Sequence, residues 1–595
     1  MHPIDYVVIV LMCLASVGIG VFTSCTGGRQ RSTSEYMMGN RQMNLLPVAI
    51  SILVSFWSAI SLLGGPAEIF YFGSYFNVTA VGITLACLIC AYLFVPLFYP
   101  LQIISIFEYL ELRYQAKFIR YWGTGLYVLT SILYLSVAQL APAMALDAVM
   151  GIPQWGGILI IGGISIIYTA LGGIKAVIWS DVFQSVFILI GLVAALIKAT
   201  IDSGGPATVF ETNSAWGRFE TFNWSLDPRV RLTVWGSSIG VMLTWIPCYG
   251  PNQASFQRFA SLPTLAKAKW SILLNIFGVY FFFALLAFVG YALFALYTVR
   301  GCDPFSDDAV SSINQLLPHY IKYDLNIPTL PGIIMACILS GAFSTTSTLL
   351  NSQAAVTVID FVQPRWRLSD AAATVATKWL VLAYGVLGSA LAFASSYIRN
   401  VPLIQISGSF ISCSSGATLG IFLLAACVPK STWRGAFAGS LVSLALVGWI
   451  CAGSFTLPGG GPRMLPLETA NCSSSSSLQG LHNNSESFNS SASGRQDHLL
   501  TGLQGLYSIS FQWYGTVGSL TCFFVGLLVS LPNLLDPEAP LPEPRFILPP
   551  LRPFLCPPET YNSVPSHQNV DLKICHQKGG SMVDSTNDKE ERQYL

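Results

Sequence analysis

Thirteen times along the chain the sequence runs apolar for long enough to cross a bilayer: at roughly 5–24, 45–72, 77–103, 118–147, 155–173, 177–200, 232–257, 268–298, 331–360, 376–398, 402–428, 434–454 and 507–532. A chain built this way satisfies its backbone polar groups within helices, because hydrocarbon offers no partners. The expected fold class is therefore an all-α polytopic membrane protein with about thirteen transmembrane helices. Composition supports this class over a soluble enzyme: 53% of residues are hydrophobic and 10% charged, with a mean hydropathy of +0.58. A net charge of +1 gives no field for nucleic acid. The phosphate-binding pattern GxxxxGK[ST] is absent, which argues against an ATP-driven pump. No Lys or Arg precedes the first apolar run, and no clear small-residue cleavage site follows it, so no signal peptide is expected. All six histidines lie outside the apolar runs, which argues against a histidine metal site or proton relay in the membrane.

Charge and sequons orient the spans. Arg29 and Arg31 follow the first run and are read as cytoplasmic, which puts the N-terminus outside and the C-terminus inside. Inner loops then hold fifteen Lys or Arg, Arg258 among them, against nine in outer segments, Arg231 among them. The glycosylation sequons at Asn223, Asn471, Asn483 and Asn489 all fall outside under this orientation. Cys302 and Cys472 also fall in outer polar segments, where the oxidising medium leaves a disulfide open to them. The stretch 454–506 reads as an extracellular, glycosylated and disordered loop, rich in Ser, Gly and Asn. The tail 533–595 is Pro-rich and then polar, and reads as a disordered cytoplasmic tail with the option of binding cytoplasmic partners. Residues 1–532 form the membrane domain.

One span is unusually polar. Within LSGAFSTTSTLLNSQAAVT (339–357), Ser340, Ser344, Ser347 and Asn351 share one helical stripe, and Thr345, Thr348 and Ser352 a second. A hydroxyl face inside a bilayer must meet protein or a solvated cavity. Two readings stay open: close packing between helices, or hard oxygen ligands for a small hard cation.

Three further features interrupt the spans. Gly64-Gly65-Pro66, followed by Glu68, is read as breaking the second run, and Pro247 and Pro251 flank Gly250 in the seventh. Interruptions five spans apart suit two five-helix repeats around a midplane binding site, or are ordinary proline kinks. YTALGGIKAVIWSDVFQ (168–184) makes a short inner turn and then carries Asp181 into an apolar helix. Asp181 is either the N-terminal cap of that helix or part of an ion pathway.

YTALGGIKAVIWSDVFQ, SGAFSTTSTLLNSQAAVTVID, YGPNQASFQRF, FEYLELRY and LLGGPAEIFYFG occur in the order in which the sodium:solute symporters carry such motifs. The chain resembles that family over about residues 5–532, and most closely its branch of sodium-coupled monocarboxylate, multivitamin and iodide transporters. The resemblance implies a leucine-transporter-type fold, with inverted five-helix repeats in spans 2–6 and 7–11. It also implies a sodium site made by the carbonyls of Val54, Trp57 and Gly341 and the hydroxyls of Ser344 and Thr345. Ser347, Asn351 and Asp360 match further polar positions linked to sodium. Phe56, Ser61, Trp245 and Gln405 are expected to face the substrate. The chain departs from the branch at Leu140, Ala417 and Ile359, where Tyr, Pro and Glu are usual.

The resulting expectation is a multi-pass plasma-membrane protein, not an enzyme, that couples sodium entry to uptake of a small organic anion such as a monocarboxylate or a biotin- or pantothenate-like vitamin. Na+ is the coupling ion, and no organic cofactor is expected. Its partners are the anion, sodium and the lipid bilayer. The alternatives are an iodide-like inorganic anion symporter and a non-concentrating solute sensor or channel. Because no Lys or Arg is read in the middle of any span, the anion's donors are expected to be Ser61, Gln405, Trp245 and freed backbone N–H groups.

Overall fold

The computed structural model describes residues 1–25, 33–397, 402–456, 464–472 and 502–555. Asn483, Asn489 and the tail beyond 555 lie outside them. Among the described residues all regular structure is helical. Ten helices among the described residues are long and apolar enough to cross a membrane. Some of these rods contain breaks. Gly173, at φ 59° and ψ −161°, turns the chain inside Gln154–Asp202. There a Cβ would meet Tyr36 at 2.8 Å, so the turn needs glycine on both steric and conformational grounds. Gly73, at φ 75°, marks the turn between Ala59–Phe72 and the next rise of the chain.

Two apolar helices are broken in mid-course. The first runs Leu45–Phe56 and resumes as Ala59–Phe72, with Trp57 and Ser58 out of helical conformation. The break is thus not at Gly64-Gly65-Pro66, which lies inside the continuous Ala59–Phe72 helix. Those glycines serve close packing instead. A Cβ on Gly64 would sit 2.8 Å from Ile404, and one on Gly65 2.8 Å from Leu286. The second broken helix runs Val241–Tyr249 and resumes as Gln253–Ala260, parted by Gly250, Pro251 and Asn252. Here the sequence signal and the break coincide, and the Asn252 side chain caps the new helix by accepting from the N–H groups of Ala254 and Ser255.

Around these breaks pack Leu265–Arg300, whose Phe282 stacks on Trp57 at 4.0 Å, and Leu330–Thr357, buried along almost all of its length. The first helix, Pro3–Cys25, lies against Gln154–Asp202 and Leu330–Thr357, and Asp5 accepts from the Gly332 N–H at 3.1 Å. Leu403–Cys427, Trp433–Thr456 and Tyr514–Val529 close together through small residues: Gly416 against Gly518, and Gly420 and Gly439 against Cys522.

Two segments read as disordered hold packed structure. Residues 464–472 form a strap tied by a disulfide between Cys302 and Cys472, with Cα atoms 5.0 Å apart. The Leu465 N–H donates to the Tyr71 carbonyl at 2.9 Å. Buried Arg218 lies 4.1 Å from the Phe294 ring centre and donates to the carbonyls of Phe70 and Pro466. Burial pushes its guanidinium down to about 10, so it stays charged at neutral pH. At the chain's other end, Phe546, Ile547 and Leu548 are buried. The Phe546 carbonyl accepts from the Tyr109 hydroxyl at 2.8 Å, and the Leu548 N–H donates to the Ala426 carbonyl at 3.1 Å. The disordered tail expected from 533 therefore contains an anchored stretch. Short 3-10 turns at Pro544–Phe546 and Pro549–Leu551 bracket Ile547 and Leu548, and the three apolar side chains of RFIL are buried.

Candidate functional site

The hydroxyl stripes of Leu330–Thr357 meet the first broken helix at its break. A Cβ on Gly341 would stand 2.9 Å from the Trp57 carbonyl oxygen and 3.1 Å from the Ala59 nitrogen, so only glycine lets the two backbones approach this closely. One turn on, the Thr345 hydroxyl donates to the Ser55 carbonyl at 3.0 Å. The Val54 carbonyl accepts from the Trp57 N–H at 3.1 Å. Val54, Trp57, Gly341, Ser344 and Thr345 are thus gathered at one break.

Asp181 joins this group from the Gln154–Asp202 helix. It is fully buried in mid-helix, so it is not an N-terminal cap. Ser344 donates to its Oδ1 at 2.7 Å, and Ser51 to its Oδ2 at 2.5 Å. Arg258 donates to the same Oδ2 at 3.2 Å, to Ser51 at 2.7 Å, to Thr348 at 2.5 Å and to the Ala254 carbonyl at 3.0 Å. Ser55 and Thr348 share a hydroxyl contact of 3.0 Å. Ser347 turns back onto the Ser344 carbonyl at 3.1 Å. The side-chain oxygens of Ser340, Thr346 and Asn351 are buried with no hydrogen-bond partner among the described residues.

Arg258 corrects the expectation that no cation enters the core. Its place in the sequence reads as an inner loop, yet its side chain is 2% exposed. Ser51 and Ser55 also belong to the site, and their i, i+4 spacing beside Val54 puts two hydroxyls on one face.

Asp360 does not belong to the cluster. Arg120 donates to its Oδ1 at 2.7 Å, and Ser105 and Thr124 to its Oδ2 at 2.7 and 2.5 Å. Residues Val358–Val362 form a π-helical turn, and the carboxylate is taken up by this separate ion-pair network.

Beside the hydroxyl cluster lies a cavity of about 210 Å³. Phe56, Ser61 and Trp245 line it as expected, with Phe56 and Trp245 edge to face at 5.3 Å. Ser55, Thr345, Thr348 and Arg258 form part of its wall, so cluster and cavity are contiguous. Tyr127, Thr130, Ser131 and Tyr134 add further hydroxyls that the sequence did not single out. Gln405 is not a lining residue: its Oε1 is held by Arg231, which also pairs with Glu68.

Paired helix breaks, a buried carboxylate and hydroxyl cluster, and a small midchain cavity together define a secondary transporter. The chain belongs to the sodium:solute symporter family, which it matches over residues 36–443. It is 36% identical to the mouse sodium-coupled monocarboxylate transporter 1, over 91% of this chain and 89% of that protein. It is 35% identical to the human sodium/iodide cotransporter, over 88% and 83% of the two chains. The same fold occurs in a solved Na+-coupled sialic acid symporter, with a TM-score of 0.70 and 22% identity, covering 89% of this chain and 98% of that one. The chain is thus a multi-pass membrane transporter coupled to sodium, and not an enzyme.

Proposed function

We propose that this symporter imports a small organic anion of the monocarboxylate or carboxylate-vitamin class. The observation that carries the reading is the cavity. It is smaller than the usual pocket for a drug-sized ligand, it is lined by aromatic rings and hydroxyls, and its wall includes Thr345 and Thr348. An anion there lies next to the oxygen cluster, where bound sodium supplies the positive charge that favours it.

Sodium is assigned to the carbonyls of Val54, Trp57 and Gly341 and the hydroxyls of Ser344 and Thr345. The gathering of these residues at the helix break supports the assignment. Ser347 and Asn351 stand in reserve, and Asp181 serves the ion pathway through its bond to Ser344. Sodium and anion enter from outside, the two repeats rock, and both leave inside. The membrane potential contributes about 2.3 kcal/mol per net charge per 100 mV, and a tenfold sodium gradient roughly 1.4 kcal/mol per ion.

The orientation belongs to the same proposal: thirteen passages in the plasma membrane, N-terminus outside, C-terminus and its Pro-rich tail inside. Asn223 then carries a glycan. Asn471 is poorly placed for one, because its amide donates to the Arg300 carbonyl at 3.1 Å. An antibody reaching a C-terminal tag on intact cells would refute this orientation.

Uptake of radiolabelled lactate, nicotinate, pantothenate and iodide, with and without sodium, tests the function. Sodium-dependent accumulation of a carboxylate is expected. Sodium-driven iodide uptake untouched by the carboxylates would give the protein the second reading, an inorganic anion symporter, which the 35% identity to the sodium/iodide cotransporter keeps in view.

A further inference from the structure

A second, half-buried arginine stands behind the cavity wall, and its bonding is incomplete. Arg231 precedes the second broken helix. One Nη donates to Glu68 on Ala59–Phe72 and the other to Gln405 on Leu403–Cys427. Its guanidinium lies over two rings, Phe72 at 4.7 Å and Phe511 at 5.3 Å. The backbone is pinned as well, since the Ser510 hydroxyl donates to the Arg231 carbonyl at 2.6 Å. Phe511 itself lines the cavity, as does Ile404 beside Gln405. The Phe511 ring is thus shared between this cation and the cavity wall.

Two atoms of the cluster are left over. Arg231 Nε and Glu68 Oε2 are both buried without a hydrogen-bond partner among the described residues. A guanidinium matches a carboxylate best through two parallel N–H bonds. Here it is divided between one carboxylate oxygen and one neutral amide oxygen, with its Nε–H unused.

We propose that Arg231 is the docking group for the carboxylate of the transported anion at the outer mouth of the cavity, and that Glu68 is the internal carboxylate this anion displaces. Glu68 keeps the half-buried cation neutralised while the mouth is empty. An arriving carboxylate takes its place with the paired geometry that Glu68 and Gln405 supply only in halves. The proposal rests on the reading that the substrate is a carboxylate. It differs from a simple latch between the two elements. A latch loses the same ion pair whichever partner is removed, so both substitutions act alike. A competition gives opposite signs: losing Glu68 frees the docking group, and losing Arg231 abolishes it.

The test measures sodium-dependent uptake of radiolabelled lactate and nicotinate in cells expressing the full chain, with surface protein quantified by biotinylation. Wild type, Glu68→Gln, Arg231→Gln and Arg231→Lys are compared. Arg231→Gln is expected to raise the carboxylate KM about tenfold or more, the scale of a lost charged hydrogen bond. Arg231→Lys is expected to fall between it and the wild type, and Glu68→Gln to lower the KM below the wild-type value. Should Arg231→Gln fail to reach the surface, the sign of the Glu68→Gln shift decides alone: a lower KM supports competition, and an unchanged or higher one overturns it. KM shifts in the same direction for both substitutions overturn it in favour of a latch. A wild-type protein that takes up no carboxylate removes the functional reading first and this proposal with it, an outcome separate from wild-type uptake with same-sign shifts.

Discussion

Two arginine–carboxylate pairs stand near one cavity, a buried one with Arg258 in the wall and a half-buried one behind Phe511, and they are built differently. In the Arg258–Asp181 pair every nitrogen of the guanidinium and both carboxylate oxygens are bonded within the protein. In the Arg231–Glu68 pair one nitrogen and one oxygen remain unbonded. A satisfied buried pair is costly to disturb, because removing one partner strands the other in a low-dielectric site. An incompletely bonded pair loses less and has capacity for a new partner. The first pair therefore holds the ion-binding end of the site together, and the second is available for exchange.

The largest expected effect tests this contrast directly. Arg258→Met leaves Asp181 buried without its cation and is expected to cost about 3–5 kcal/mol, enough to remove most protein from the surface. The double variant Arg258→Met/Asp181→Leu, which leaves no charge stranded, is expected to recover part of that loss. Arg231→Gln is expected to keep more surface protein than Arg258→Met. Surface biotinylation and melting of the detergent-purified proteins measure all three, and equal losses for the two arginines would erase the distinction.

The next effect concerns how the ion-binding end is assembled. Gly341→Ala puts a methyl 2.9 Å from the Trp57 carbonyl, and backbone there has no easy retreat. The expected cost is about 1–3 kcal/mol, with a higher sodium requirement for uptake. Gly163→Ala is the control: nothing lies within 4 Å of its added Cβ, and a change within about 0.5 kcal/mol is expected. Matching sodium curves for both variants would show that the close approach at Gly341 is packing alone.

These two arrangements were unequally legible in the sequence. The spans, the break at Gly250-Pro251 and the hydroxyl stripes could be read because each follows from local chemistry: apolar length, a missing N–H, helical spacing. The break at Trp57–Ser58 could not. No glycine or proline marks it, and it is defined by Gly341 arriving from nearly three hundred residues away. Gly64-Gly65-Pro66 looked like the breaker and proved to be a packing surface. Arg258 was missed for a related reason. A basic residue just past an interrupted span reads as a loop charge, and only the fold brings Ser51, Asp181 and Thr348 around it. Gln405 was expected in the cavity by position, but Arg231, counted as an outer-loop charge, draws it away.

A smaller effect separates ion ligands from helix packing. Ser344→Ala and Thr345→Ala each delete one hydroxyl and leave helix-forming residues in place. Each is expected to raise the sodium concentration for half-maximal uptake roughly threefold to tenfold, the value of one hydrogen-bond-sized interaction. Ser344→Ala also removes a donor to Asp181 Oδ1, so its shift is expected to be the larger. Normal surface levels with unchanged sodium dependence in both would make the stripe a packing face.

The smallest expected effect lies on the substrate side. Ser61 lines the cavity, and its N–H is already held by the Ser58 carbonyl at 3.0 Å. Its hydroxyl is one neutral donor among several in the cavity wall. Ser61→Ala is therefore expected to weaken carboxylate binding by about 0.5–1.5 kcal/mol, read as a higher KM for labelled lactate at saturating sodium. Ser61→Gln replaces a short hydroxyl with a longer amide, which fills part of a 210 Å³ cavity and reaches further across it. Preference is expected to move from the carboxylate toward a compact anion such as iodide. The comparison with Ser344 makes this specific: a ligand of the ion moves the sodium curve first, and a ligand of the anion moves the substrate curve first. If Ser61→Ala shifted half-maximal sodium and left the lactate KM at saturating sodium unchanged, Ser61 would belong with the ion cluster rather than with the cavity.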